Sequence, residues 1–561
     1  MRPNAHHQAS PEGLFNHERN EQQPSGLKAM CAGYEVKYVL AIDHGTSGMK
    51  PAIVSTNGKI IGSEFEPTPL YLSAGGGAEQ NPSEWWDAFL KAAKRLIDKR
   101  LVHPEDIIGV CNSSQWSGTV AVDENGEQLT NAIIWMDSRG APCVERTFKG
   151  RVKIAGYPLL DVLRWLRKTG GIASHSGKDP IAHILYLKHE QPDIYRETRW
   201  FLEPTDFINL KLTGKVAASY ASIMMYWLTN TRKINNVHYD DSLIRRMGVE
   251  KEKLPPLMRS TDVLGPLSTD VADYLGLSHG TKVVVGAPDL HSAIIGSGAV
   301  QDYQGHVYVG TSSWIICHVP FKKTDISHNI ASLPSAIPGR YFVANEQETA
   351  GACLSFLRDR VFYPDDSTRF GVKEVYKEFD RIVEKAPAGS GKVIFTPWLY
   401  GERTPVEDHT VRGAFYNLSL DVDRSQIIRS VFEGVAYNSR WVLGVVEKFI
   451  KRRMDTLNMI GGGAQSDIWC QIYADVLNRN IQQVHDPIQA NARGAAFIAS
   501  VGLGYLTFDA VPGLVEISKT FKPNPDNRKL YDELYGEFLN IYKANKPLYR
   551  RLNSTVCVQR V

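Results

Sequence analysis

Asp43, Thr46 and Ser47 lie within the single stretch YVLAIDHGTSGMKPAIVS, Tyr38 to Ser55. A carboxylate and two hydroxyls so close together suit the handling of a phosphate and its metal. Gly45 and Gly48 let backbone N–H groups approach an anion, Thr46 and Ser47 donate to its oxygens, and Asp43 faces a divalent cation. The same residue types are ordinary turn formers, so the segment alone reads equally well as a plain hairpin connection.

The stretch HVYVGTSSWIICHV, His306 to Val319, repeats the pattern of strand, Gly-Thr-Ser turn and strand, with Gly310-Thr311-Ser312 matching Gly45-Thr46-Ser47. Such a repeat indicates two similar halves, and a phosphate-type hairpin in each indicates a nucleotide held between them, where domain closure excludes water. Asp289, in GAPDLHSA, stands where a buried strand meets a helix. Its carboxylate can sit on a cleft floor and take a proton from a hydroxyl, or it can simply cap the helix. In MIGGGAQSDIWCQIYADVLN, from Met459, an apolar strand meets three glycines before a helix. Backbone so bare can approach an adenine or ribose, and a tight strand-to-helix turn is the alternative. Gly351 in ETAGACLSFLRD lies near a helix start among small residues, which reads as close helix packing.

The elements that position these residues alternate between strand-like apolar runs and helix-period segments. Asn81-Pro82-Ser83-Glu84 predicts a capped helix start, with Trp85, Trp86, Phe89 and Leu90 at helical spacing after it. The segment Asp179 to Gly214 reads as mainly helical, opening with Asp179 as N-cap before Pro180, and KVVVGAPDLHSAIIGSGAV as a strand, a turn at Gly286 to Pro288, and an apolar helix.

Composition narrows the function classes. The 561 residues are 43% hydrophobic and 22% charged, an ordinary globular balance for two or more domains. With 64 basic and 61 acidic residues the net charge is only +3, which gives no electrostatic footprint for nucleic acid. Seven cysteines, without a CxxC pair, read as reduced thiols in a cytoplasmic protein. No apolar run approaches the roughly 18 residues of a membrane span. The first 36 residues are polar, lack the apolar stretch of a signal peptide, and read as a mobile extension. PAGSGKVIF, Pro387 to Phe395, is no P-loop, because Ala386 stands where the first Gly belongs and Val393 replaces Ser/Thr. There is no GxSxG elbow, HExxH or His/Cys cluster. Any metal is therefore Mg²⁺ carried with the nucleotide on oxygen ligands.

Taken together, AIDHGTSG, AEQNPSEWW, IIWMDSR, LEPTDFINLKLTG, GAPD, VGTSS, ETAGA, PWLYGERTPVEDHTVRGAFYNLSL, FEGVAYNSR, GGGAQSDIWCQIYADVLN and RGAAFIASVGLG resemble the FGGY carbohydrate kinases, from about Tyr38 to about Gly504. The resemblance implies an α/β fold of two actin-like (ribonuclease H-like) ATPase domains, of the sugar kinase/hexokinase/actin superfamily, with a cleft between them. Residues 1–36 would form the extension, 37–300 the sugar-side domain, 301–520 the nucleotide-side domain and 521–561 a helical tail. It implies ATP and Mg²⁺ as cofactors and a small sugar and ATP as partners, with family members often homodimers; charge balance and apolar run length point to neither nucleic acid nor membrane as a partner.

By the same resemblance Asp289 is the catalytic base, Asp43 holds Mg²⁺ through water, and Thr46, Ser47 and Gly48 cradle phosphates while Lys50 neutralises transferring charge. Gly310 and Thr311 hold the tail phosphates, and Gly351, Gly463 and Asp467 line the nucleoside pocket. At the sugar end the chain has Gln115-Trp116-Ser117-Gly118 where xylulokinases carry Gln-Met-His-Gly and glycerol kinases Gln-Arg-Glu. Trp116 would stack on a sugar's carbon face or serve as a core aromatic, Ser117 would bond a hydroxyl, and Trp135 matches a family tryptophan near the substrate. Arg139 would reach that cleft or pair with Asp137. AGGGAEQNPSEWW and GGGAQSDIW lean toward the xylulokinase-like branch, hence a pentulose such as D-xylulose. Glycerol, another polyol or a hexulose is the alternative within the family, and a non-catalytic sugar sensor is the alternative of another class.

Overall fold

The computed structural model describes residues 36–154, 156–362 and 372–553. The expected mobile extension falls almost entirely outside the described residues. The first half is built on a seven-stranded sheet. Its strands are β1 (Tyr38–Gly45), β2 (Gly48–Ser55), β3 (Ile60–Ser63), β4 (Ile107–Ser114), β5 (Val263–Pro266) and β6 (Lys282–Pro288), in the spatial order β5-β6-β4-β1-β2-β3, with the short strand Glu66–Pro67 beside β2. β1 and β2 form an antiparallel hairpin, whereas β1, β4 and β6 run parallel.

The hairpin strands are apolar on both faces because both faces are covered. Alternation sorts them: Leu40, Ile42 and Ile53 share a core with Trp85 and Phe89 of helix α1 (Pro82–Asp98), while Val39, Ala41 and Val54 share another with a helix from the far end of the chain. Complete burial of Trp85 and Phe89 is worth ~1.5–3 kcal/mol each. α1 begins where its sequence signals it, with the Asn81 side chain accepting the Ser83 N–H at 3.0 Å.

Two expectations are corrected, the capping by Asp179 and the turn at Gly286 to Pro288. The segment from Asp179 is mainly helical, as α2 (Pro180–Glu190), a short helix Pro192–Glu197 and α3 (Pro204–Thr213), with a strand Trp200–Leu202 between the last two. Each of its three prolines sits at the first helical position and so opens a new helix. Asp179 occupies the N-cap place without capping, because its carboxylate is turned inward to the Ser174 N–H at 2.5 Å and the Trp227 indole at 3.0 Å. The second is the turn at Gly286 to Pro288. β6 runs on through Pro288, with a register shift between Val284 and Ala287 where Gly286 adopts φ +75°. This bulge re-aims the strand end so that helix α4 (Asp289–Gly296) starts at once.

The second half has an eight-stranded sheet made of β7 (Gly305–Val309), β8 (Ser313–Val319), β9 (Thr324–Asp325), β10 (Ile330–Pro334), β11 (Tyr341–Ala344), β12 (Thr456–Ile460), β13 (Asn480–Val484) and β14 (Ile517–Phe521), ordered β9-β10-β11-β8-β7-β12-β13-β14. β7 and β8 are an antiparallel hairpin, and β12 and β13 continue parallel to β7. The inner pattern of antiparallel hairpin followed by two parallel strands is thus the same in both sheets.

Helices α5 (Gly351–Phe356), α6 (Arg424–Ile450), α7 (Asp467–Leu477) and α8 (Ala490–Gly502) follow, and α9 (Arg528–Asn553) ends the described chain. One face of the second sheet, with Val307, Val309 and Ile315, packs on α6 and α7. α8 crosses to the first half and packs on α4 and β1. That crossing needs Gly296 and Gly494, since a methyl group on either would overlap a backbone carbonyl of the other helix. Helix α4, with Asp289 at its head, is therefore clamped by a helix of the opposite half. Among the described residues no helix is long and apolar enough to cross a membrane.

Candidate active site

Parallel pairing brings three strand ends to one edge. Asp43 of β1 and Ala287 of β6 both pair with Ser113 of β4, so Asp43, Ser114-Gln115 and Asp289 emerge side by side at the carboxyl ends, where open α/β sheets bind ligands. Asp289 is half-buried at the first position of α4, and its Oδ1 accepts the Leu290 N–H at 2.8 Å. Burial pushes its carboxyl up to about 7 against the pull of that N–H, with further upward pressure from the charges of Asp43 and Glu346 and relief from Lys50. A carboxyl poised near neutrality in a cleft suits proton transfer.

Asp43 is itself buried. Its Oδ2 lies 3.4 Å from the Lys50 ammonium, and its Oδ1 accepts from the Asn491 amide of α8 at 3.3 Å. Thr46 is engaged more fully than its sequence context indicates. Its hydroxyl donates to Gln115 Oε1 at 2.8 Å and accepts the Trp135 indole N–H at 3.0 Å. Gln115 donates to Gln80 at 2.8 Å, and Gln80 donates back to the Thr46 carbonyl at 2.9 Å, closing a ring of side chains. The Thr46 hydroxyl proton is thus committed to Gln115. Ser47 is exposed, and with Lys50, Ser63, Glu64, Phe65 and Gln489 it lines an open pocket. Gly48 leaves no room for a side chain, because a methyl there would overlap the Glu66 carbonyl.

The loop after β4 is pinned from several sides. The Trp116 indole donates to the Ser222 carbonyl at 2.9 Å, and its ring packs 5.1 Å from His291 of α4. Ser117, at φ +67°, donates to the Lys178 carbonyl at 3.0 Å, and the Gly118 N–H donates to Glu203 at 3.0 Å. Glu203 is completely buried, which drives its carboxyl well above the usual range. Arg139 pairs with Asp137 at 2.7 Å and Glu79 at 2.5 Å, which settles its two readings in favour of pairing.

In the second half, the N–H groups of Ala350 and Gly351 each donate at 2.8 Å to the carbonyls of Thr311 and Gly310, docking the start of α5 on the Gly-Thr-Ser turn. Gly351 is therefore at the turn itself, and a Cβ there would lie 2.6 Å from the Gly310 carbonyl. Gly463 is buried, with a Cβ position 2.6 Å from Val309, while Gly462 beside it is exposed and open. Asp467 heads α7, exposed and held by Lys519 at 2.9 Å and Gln483 at 3.0 Å, pairings that lower its carboxyl below the usual range.

Sequence reasoning missed several residues. Arg403, in GERTP, joins Glu346 and Glu348 in a cluster that also faces Lys178 of the first half. Gln80, Asn491 and Tyr308 are ordinary types whose convergence is purely spatial. Only the GERTP motif carried a signal in advance.

The description "FGGY family of carbohydrate kinases, N-terminal domain" matches residues 38–296, and the corresponding C-terminal domain matches 305–503. The chain belongs to the FGGY family of carbohydrate kinases. It is an ATP-dependent phosphotransferase with an alcohol acceptor. It is 28% identical to a xylulose kinase of Bacillus subtilis over 92% of this chain and 99% of that protein. It is 25% identical to a gluconokinase of the same organism over 92% of this chain and 97% of that protein. The crystal structure of ligand-bound xylulose kinase from Lactobacillus acidophilus superimposes with a TM-score of 0.80 at 26% identity, covering 92% of this chain and all of that one. For an FGGY kinase the donor set is economical. Among the described residues no group of three or more His, Cys, Asp or Glu side chains is arranged to hold a metal ion, and Asp43 offers one carboxylate. That fits Mg²⁺ arriving on a nucleotide, which takes one or two carboxylates and keeps phosphate oxygens and waters as its other ligands.

Proposed function

We propose that this kinase transfers the γ-phosphoryl group of ATP to a hydroxyl of a ketose, D-xylulose first. The observation that carries the reading is Asp289, a carboxyl lifted to about 7 beside Asp43 at the shared strand edge. Once ionised it takes the proton of the acceptor hydroxyl as the oxygen attacks the γ-phosphorus in line. Asp43 would hold Mg²⁺, which supplies charge neutralisation to the phosphates. Ser47, Gly48 and the backbone around Thr46 cradle the phosphates from one side, with Lys50 facing the transferring charge. Gly310 and Thr311 hold the tail phosphates from the other side, Gly351 supports their turn, and the Gly462-Gly463 corner with Asp467 borders the nucleoside. Trp116, Ser117 and Trp135 border the sugar, Trp135 through the Thr46 hydroxyl.

The pentulose assignment is supported by the near full-length match to xylulose kinases. Gluconokinases match over a similar span, so gluconate, glycerol and hexuloses belong in the same test. ADP release measured over a panel of these acceptors checks the reading. D-xylulose giving the highest kcat/KM supports it, whereas preference for gluconate or glycerol reassigns the acceptor, and nucleotide binding without ADP release on any acceptor favours a sensor.

A further inference from the structure

Tyr308 sits in β7, two residues before the second Gly-Thr-Ser turn. Strand alternation sends Val307 and Val309 into the core beneath the sheet and turns His306 and Tyr308 toward the first half. The Tyr308 ring lies flat on Trp314, with centroids 3.9 Å apart and planes 10° from parallel. Trp314 is fixed in turn by its indole N–H, which donates to His306 Nε2 at 2.9 Å. The phenol end reaches back over Gly310, where a methyl group would overlap the hydroxyl, so this glycine makes room for the side chain. Among the described residues the hydroxyl has no hydrogen-bond partner, and the residue is only half-buried. Burial comes first, followed by the charges of Asp289, Asp43 and Glu346, in holding the phenol well above its ordinary pKa. It is therefore a neutral donor at physiological pH. Packing alone is satisfied by the ring and leaves the hydroxyl unexplained.

We propose that the Tyr308 hydroxyl is a further catalytic group, donating a hydrogen bond to a non-bridging oxygen of the phosphoryl group in transit. The inference rests on the kinase reading above. In the step, the acceptor oxygen forms its bond to the γ-phosphorus and its proton passes to Asp289. The bond from that phosphorus to the β,γ-bridging oxygen breaks, and the electron pair leaves on ADP. Tyr308 keeps its proton throughout, and its hydrogen bond strengthens as charge develops on the oxygens. A rigid stack holds the donor in place beforehand, so little reorganisation is needed.

The test is Tyr308→Phe, which keeps the stack and removes one oxygen. The expected result is a kcat lowered about 10- to 100-fold, with the KM for the acceptor and the affinity for ADP within about 2-fold and the melting temperature unchanged. The affinity for ADP with aluminium fluoride and acceptor, which mimics the transferring group, should fall by a similar factor while that for ADP alone holds. A kcat within about 3-fold of wild type, or a loss confined to KM, overturns the role. If wild type turns over and the variant equals it, the tyrosine assignment alone falls. If wild type releases no ADP on any acceptor, the kinase reading falls and takes this inference with it.

Discussion

Replacing Asp289 by Asn separates its chemical role from its structural cost. The side chain keeps its shape and its contact with the Leu290 N–H, but it can no longer take a proton. Loss of a positioned base lowers turnover about 10²- to 10⁴-fold, and ATP affinity should hold because the proposed role of Asp289 is toward the acceptor hydroxyl and not the nucleotide. Stability moves in the opposite direction. The folded chain holds this proton up to about pH 7, whereas an unfolded aspartate releases it near 3.8. Stability from Asp289 is therefore complete below about pH 4 and lost as the pH rises through about 7. Allowing for partial exposure, the ionised group costs roughly 2–4 kcal/mol above neutrality, so the variant should melt higher than wild type at about pH 8 and show no gain near pH 4. The assays are ADP release with D-xylulose across that range and thermal melting at both ends. Wild-type kcat/KM should rise through a single limb near pH 7 that the variant lacks. A variant kcat within about tenfold of wild type, or one that melts lower at pH 8, would refute the reasoning.

Substitutions at three more positions probe the surroundings. Glu203→Gln keeps an acceptor for the Gly118 N–H and removes the cost of holding a proton that the unfolded chain releases, so it should raise the melting temperature at pH 7, whereas Glu203→Ala should be ~1–3 kcal/mol less stable than Glu203→Gln by unfolding measurements because a buried N–H loses its partner. Trp135→Phe removes the indole donor to Thr46 and should raise the acceptor KM about tenfold with ATP KM unchanged, as steady-state kinetics will show. Arg429→Met strands Glu433, which also accepts from Gly389, Ser390 and Tyr531, and should destabilise the second half by ~3–5 kcal/mol in denaturant titration without altering the acceptor preference.

Features that are local in sequence were legible. Both Gly-Thr-Ser hairpins are visible because β-branched runs flank short Gly-rich turns, and α1 is visible from Asn81-Pro82 and its apolar spacing. PAGSGKVIF ends in a strand, Ile394–Thr396, and its Gly389 and Ser390 are tied to Glu433. What failed was set by tertiary partners. Asp179 has the type and place of an N-cap, but Ser174 and Trp227 compete for its carboxylate. Gly286 reads as a turn, yet pairing on either side carries the strand through it as a bulge. Asn491 lies 448 residues from the carboxylate it touches, a separation over which no local pattern can speak.

The central claim is that two matching turns grip the triphosphate from opposite halves while Asp289 activates the acceptor between them. A crystal structure with a non-hydrolysable ATP analogue and D-xylulose tests it most directly. Phosphate oxygens are expected against both Gly45–Gly48 and Gly310–Ser312, with one sugar hydroxyl about 2.6–3.2 Å from the Asp289 carboxylate and in line with the γ-phosphorus. Phosphates bound away from either turn, or a sugar with no hydroxyl within reach of Asp289, would contradict it.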